Sequence, residues 1–227
     1  MPSPYSATLL ANIERTITRE RLTRYLGATG HDLSKALELY EYNVQLSEVL
    51  YGLLHGLEVM VRNAAHHALT ASYRTPAWYD AAPLSTYWQD QLAKAKAKPG
   101  AAGKPGKVIA ELTFGFWIDL LQASNHRTLW VNQKLNRAFP NAAGKTRFNI
   151  HERLKAIHLL RNRLSHHEPI LTAANGVYNG NLIITLPQLT ECMEWVCLDT
   201  AQWIKAQFRY AEAERILREV AAKGISL

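Results

Sequence analysis

Between positions 160 and 170 the chain reads Leu160-Arg161-Asn162-Arg163-Leu164-Ser165-His166-His167-Glu168-Pro169-Ile170. These residue types could cleave RNA without a metal. Such cleavage needs a base for the 2′-hydroxyl proton, positive charge on the phosphorane and an acid for the leaving oxygen. Histidine exchanges protons near neutral pH. Arginine is permanently charged and holds two phosphate oxygens at once. Asparagine orients either phosphate or histidine. Arg161, Asn162 and His166 are therefore the candidate catalytic set, and the product would be a cyclic phosphate.

The spacing sets the geometry these residues can reach. Pro169 disfavours helical geometry at Glu168, so a helix carrying the motif must end near His167. His166 then lies in the final turn, beside the negative end of the helix dipole, a place that suits a cation. Asn162 and His166 are four apart and share a face. Arg161 and His166 are five apart, so an ideal helix does not stack them. Fraying of the last turn, or a partner helix, would be needed to bring them together. A purely structural explanation also exists, since basic side chains are favoured at any helix C-terminus. Asn162, the doubled histidine and the following Glu-Pro make the pattern more specific than an Arg and a His alone.

A second segment echoes the first. Arg62-Asn63-Ala64-Ala65-His66-His67 repeats the residue types. Glu58, Arg62 and His66 follow at four-residue steps and share one helix face. They fit either a Glu–Arg pair flanking a core helix or a set of supporting groups. In the second case Glu58, Arg62, Asn63, His66 and His167 would surround Arg161 and His166. Both Arg-Asn segments would then meet in one polar cleft, within the chain or across a dimer. No metal site is expected. Adjacent histidines diverge on a helix, and His-x3-His spacing is lacking. No cofactor is expected either.

The elements that must position these residues read as helices. Residues 9–26 mix apolar and charged positions at helical spacing, and Gly27 and Gly30 end the run. Asp32 suits the cap of a long stretch. Its stripe of Leu46, Val49, Leu50, Leu53, Leu57, Met60, Val61, Ala64 and Ala68 reaches about Leu69, with room for a break near Tyr42 or Asn43. Pro76 and Pro83 mark a loop. A shorter helix is expected over 85–96, then helical patterning from Val108 through Leu112, Phe116, Ile118 and Leu120. Another helix covers about 127–138. The motif helix covers about 145–167. One short strand over 182–186 is compatible with the pattern. Pro187 suits the first turn of a last helix running to about Lys223. The fold class expected is all-α, a single domain over 1–227, with a core of about 32–170 and a helical tail of about 187–223.

The stretch Lys98-Pro99-Gly100-Ala101-Ala102-Gly103-Lys104-Pro105-Gly106-Lys107 has the composition of a flexible basic loop. Lys98, Lys104 and Lys107 are candidate RNA contacts, and a solvated connector fits equally well. Aromatics near Trp78 and Trp88 could stack on bases, although core or loop anchoring fits them better.

The motif 161–170 resembles the signature of Abi-like (abortive infection) proteins of the HEPN superfamily, whose shared pattern is Arg, four to six residues, then His. Arg21-Leu22-Thr23-Arg24-Tyr25-Leu26 resembles the opening helix of that family. Ala36 to Tyr40 and Asn43 to Ser47 resemble the next block. Leu57-Glu58-Val59-Met60-Val61-Arg62-Asn63 resembles its Glu-x3-Arg-Asn element. Leu112-Thr113-Phe114-Gly115-Phe116-Trp117 resembles its Phe-Gly-Phe-Trp block. The resemblance spans most of residues 21–170. It implies a HEPN-type helical bundle that often dimerises. It also implies metal-independent RNA cleavage in anti-phage defence or toxin–antitoxin growth restriction, centred on Arg161 and His166 with Asn162 as polar support. Partners it implies are RNA, an antitoxin RNA or protein, and a second copy of the chain. Some HEPN proteins only bind RNA, so fold alone does not give catalysis.

Composition agrees with a globular protein that meets a polyanion. The chain has 227 residues and 48% hydrophobic content, enough for a sizeable core. Its net charge of +7 and pI of about 9.4 suit RNA, DNA or an anionic surface. No apolar run approaches a membrane span. The opening Met1-Pro2-Ser3-Pro4-Tyr5-Ser6 lacks a basic-then-apolar leader, so a cytoplasmic location is expected. Cys192 and Cys197 are not expected to pair and lack zinc-site spacing. Besides the ribonuclease, a non-catalytic RNA-binding module and an interaction protein with a polar dimer seam remain open.

Overall fold

The computed structural model describes residues 5–172 and 176–224. The protein is all-α, with 71% of the described residues helical. It divides into two compact units, each built from separated stretches of chain. The first comprises Met1–Leu53, Leu159–Leu186 and Ala206–Leu227, and the second Leu54–His158 and Pro187–Lys205. These boundaries cut across the expected core and tail, because the tail contributes to both units.

The first unit begins with α1 (Ala7–Thr16) and α2 (Arg19–Ala28). One helix was expected over this stretch. Thr18 divides it, with φ 73° and its hydroxyl accepting from the Arg21 N–H. That cap satisfies an orphan donor of α2 and offsets the strained backbone. Next comes α3 (Leu33–Tyr73), which carries on into the second unit. Asp32 caps it as expected, its carboxylate accepting from the Lys35 N–H at 3.1 Å. No break occurs at Tyr42 or Asn43. Leu22, Tyr25, Leu26, Ala36, Leu37 and Leu39 form a buried cluster, and Leu10 and Ile13 of α1 pack on it.

The second unit has an aromatic core. Trp78, Phe116 and Trp117 are buried, with ring centroids 4.9–6.3 Å apart. The segments that set this core are α4 (Thr86–Lys96), α5 (Pro105–Ala110) and α6 (Phe114–Asp119). The run expected as one helix from Val108 is broken at residues 111–113. Gly115 permits close packing there, since a Cβ would meet the His158 ring at 3.1 Å. The stretch expected over 127–138 is a π-helical segment (His126–Asn132) followed by a 3-10 turn (Leu135–Ala138), separated by left-handed Lys134.

The helix that carries the motif is α7 (Arg147–Ser165). The single strand expected near 182–186 is instead a small hairpin. Its strands are β1 (Val177–Tyr178) and β2 (Ile183–Ile184), antiparallel, with Val177 opposite Ile184. The long last helix is three: α8 (Leu186–Val196), α9 (Leu198–Gln207) and α10 (Tyr210–Ala222). Cys197 opens α9 with its sulfur accepting from the Thr200 hydroxyl, and left-handed Arg209 opens α10. Both cysteines are free thiols.

Candidate functional site

The last turn of α7 stops in a defined way. His166 N–H still bonds the Asn162 carbonyl at 3.0 Å. His167 N–H bonds the Leu164 carbonyl and Glu168 N–H bonds the Arg163 carbonyl. His167 has φ 56°. This pair of bonds around a left-handed residue is a Schellman motif, with histidine where glycine is usual. Histidine is among the non-glycine residues that enter this region more readily.

Several residues of the motif build the turn itself. Arg163 pairs with Glu168 at 2.8 Å and donates to the Pro169 carbonyl at 2.6 Å. Its guanidinium lies 5.4 Å from the Tyr178 ring centroid on β1. Ile170 is buried, and its N–H donates to Asn43 Oδ1 at 2.8 Å. Asn43 is itself buried in α3, so it ties the returning chain to that helix. Tyr178 N–H bonds the Ile170 carbonyl and attaches the hairpin. Arg163, Glu168, Pro169 and Ile170 are therefore the framework of the turn. His167 is the left-handed residue of that turn, and Arg161, Asn162 and His166 are polar motif residues outside its framework.

Arg161 follows ideal helix geometry. Its Nη1 donates to Ser165 Oγ, four residues on, at 3.3 Å. The last turn keeps its hydrogen bonds, so fraying does not bring Arg161 to His166, and this bond goes to Ser165. Ser165 also donates to the Arg161 carbonyl and stands 3.2 Å from the Tyr51 hydroxyl on α3. Tyr51, Ser165 and Arg161 thus form a polar chain inside the first unit. Asn162 is half-buried, whereas His166 and His167 are exposed.

A hollow of about 530 Å³ adjoins this helix end. Arg21, Tyr40, Ser47, Tyr51, Leu164 and His167 are among its lining residues. Arg21 donates from its guanidinium to the His167 carbonyl. On a continuing helix His167 would diverge from His166. The left-handed turn makes it part of a wall shared with a cation and two tyrosines. Arg21, Tyr51 and Ser165 were not among the candidate site residues. Ser165 was open to detection as the i+4 neighbour of Arg161. Arg21 and Tyr51 lie far away in sequence and carry no local signal.

The echoing segment belongs to the second unit and lies within α3. Glu58, Arg62, Asn63 and His66 are half-buried. Arg62 Nε donates to Asn63 Oδ1 at 3.2 Å. His66 Nδ1 accepts from the indole N–H of buried Trp78 at 3.0 Å. Burial, aided by the neighbouring His67, lowers the His66 pKa below its ordinary value of 6.5. Its tautomer is then fixed, with the proton on Nε2.

The basic stretch after α4 is more ordered than its composition suggested. Ala101 is buried, and turns link Lys98 to Ala101, Ala101 to Lys104 and Lys104 to Lys107. Pro105 and Lys107 belong to α5. Lys98, Lys104 and Lys107 are all exposed. Among the described residues, no group of three or more His, Cys, Asp or Glu side chains could hold a metal ion. No described helix is long and apolar enough to cross a membrane. No protein-family model, curated protein or solved structure matches this chain.

Proposed function

We propose that the chain is a metal-independent endoribonuclease of the HEPN type, acting in bacterial abortive infection or toxin–antitoxin growth restriction. One observation carries this reading. The α7 terminus leaves His166 exposed one turn beyond half-buried Arg161 and Asn162, while Arg163, Glu168 and Pro169 are occupied in making the turn. In the reaction, His166 removes the 2′-hydroxyl proton and the 2′-oxygen attacks phosphorus. Arg161 neutralises charge on the phosphorane. The 5′-oxygen leaves with a proton taken from water, the His166 imidazolium returns its proton to the resulting hydroxide, and a 2′,3′-cyclic phosphate remains. Asn162 orients the phosphate or the imidazole. Glu58, Arg62, Asn63, His66 and His167 are proposed as supporting groups, and Lys98, Lys104 and Lys107 as phosphate contacts. We place the protein in the cytoplasm, as a homodimer held in check by an antitoxin RNA or protein.

A second reading, a non-catalytic RNA-binding module, draws on the Arg161–Ser165 bond. That bond engages Arg161 Nη1 with Ser165 within the same helix. One experiment separates the two. Cellular RNA is incubated in excess EDTA with the wild type and with His166→Ala. The nuclease reading expects fragments ending in cyclic phosphate from the wild type alone, with RNA binding retained by the variant. Binding without cleavage by either protein supports the module. Cleavage that requires an added divalent ion overturns the metal-independent mechanism.

A further inference from the structure

The second unit holds a hollow of about 540 Å³ unconnected with any residue discussed for catalysis. Its lining includes Tyr87 and Trp88 of α4, Asp119 at the end of α6, and Gln122, Ser124 and Asn125 just beyond. A volume in this range suits one small ligand. No lysine, arginine or histidine lines it, so nothing in its wall attracts a phosphate. Its one ionisable carboxylate is Asp119.

That carboxylate is held in place from both sides. Trp88 Nε1 donates to Oδ2 at 2.9 Å, and Gln122 Nε2 donates to Oδ1 at 2.7 Å. Asn125 donates to the Asp119 backbone carbonyl at 3.0 Å. Each carboxylate oxygen keeps a further lone pair, so the pair can still accept two parallel N–H bonds. Beside it, Tyr87 and Trp88 meet edge to face at 4.7 Å, and Tyr87 is 60% exposed. An exposed aromatic face offers stacking to a flat ring. The occupant these features describe is flat and carries no negative charge at this edge, where it presents two adjacent N–H donors.

We infer that this hollow binds a guanine base. Guanine presents N1–H and N2–H side by side on its Watson–Crick edge, and Asp119 would accept both. Adenine, cytosine and uracil do not offer that pair. The inference rests on the RNA reading in one respect: unpaired RNA is the form in which the base would arrive, since that edge must be open. Base recognition here is independent of chemistry at Arg161 and His166.

The test follows the Trp88 indole N–H resonance, assigned by its loss in Trp88→Phe. GMP, AMP, CMP, UMP and ribose 5-phosphate are titrated in turn into the full chain. The expected result is saturation by GMP at a concentration roughly tenfold or more below the other nucleotides, as a bidentate base contact provides. Asp119→Asn should abolish that preference. Tyr87→Ala should weaken GMP by roughly tenfold through lost stacking, and Tyr87→Phe should restore it. Tyr87 is exposed, so its variants keep the test valid should Asp119→Asn fail to fold. Equal saturation by all four nucleotides, a match between ribose 5-phosphate and GMP, or no binding overturns the inference. So does GMP binding unchanged in Tyr87→Ala and Asp119→Asn. These readouts need no cleavage, so failure of the nuclease reading leaves them interpretable.

Discussion

Residues 62–67 and 161–167 both open on Arg-Asn and close on His-His, and the fold employs them differently. In the first, Arg and the leading His are four apart; in the second, five. One residue turns a helix by about 100°. Arg62 and His66 therefore share a face in the middle of α3. Arg161 instead stacks on Ser165, and His166 falls one position further round. The second difference is Pro169. Segment 62–67 continues as helix, and His66 accepts a hydrogen bond from buried Trp78. Segment 161–167 ends at a Schellman turn that leaves both histidines exposed. A repeated Arg-Asn and His-His pattern thus becomes a half-buried stretch of mid-helix in one place and an accessible helix terminus in the other.

The largest expected contrast is between the two leading histidines. His166→Ala should lower RNA cleavage by about a hundredfold or more, the range of a lost acid–base group, with little change in melting temperature. His66→Ala should act chiefly on stability, with a smaller loss of cleavage than His166→Ala. It leaves the Trp78 N–H buried without its acceptor, at a cost of about 1–3 kcal/mol in chemical denaturation. Cleavage lost equally in both, at equal stability, would erase the distinction.

A smaller contrast lies within the second segment. Arg163→Ala removes a partly exposed ion pair and the bond to the Pro169 carbonyl, and should cost about 1–2 kcal/mol of stability. Arg161→Ala should cost less stability than Arg163→Ala and far more cleavage. Thermal melts run beside RNA assays read both. Were Arg163→Ala the more damaging to cleavage in a protein of unchanged stability, the roles of the two arginines would be exchanged.

The trailing histidines should respond to glycine with opposite signs. His167 has φ 56°, a region where a Cβ is strained. His167→Gly should stabilise by about 0.5–1 kcal/mol. His67 is exposed within α3, so His67→Gly should destabilise by up to about 0.5 kcal/mol. Urea titrations of the two variants test this. A loss of stability in His167→Gly would show that its ring contacts outweigh the backbone strain.

The smallest effect is a pH dependence. His66 is held below its ordinary value of 6.5 in the folded state. The unfolded chain therefore binds more protons in this range, and stability falls as pH drops from the ordinary value toward the folded one. His66→Asn keeps an acceptor for Trp78 and does not titrate. Between pH 7 and pH 5 the wild type should lose more melting temperature than His66→Asn. Parallel curves would assign the acid sensitivity to other groups.

The sequence by itself determined the all-α class, the Asp32 cap, the long α3 stripe and the end of α7 before Pro169. These are local properties: periodicity, a capping side chain and a proline that forbids helix before it. It also singled out the segment 161–170. What it left open was settled by tertiary contacts. Continuity of α3 through Tyr42 and Asn43 depends on burial, since Asn43 is held by the Ile170 N–H from far along the chain. The break at Thr18 and the division of the final helix into three follow left-handed residues and caps that periodicity does not register. Above all, only the folded chain sorted the motif. Arg163 is a clamp because Glu168, Pro169 and Tyr178 surround it, while Arg161 meets Ser165 and, through it, Tyr51. The two arginines are two residues apart and chemically identical. Their roles differ because a helix turns them about 200° from one another, toward surroundings assembled from distant sequence.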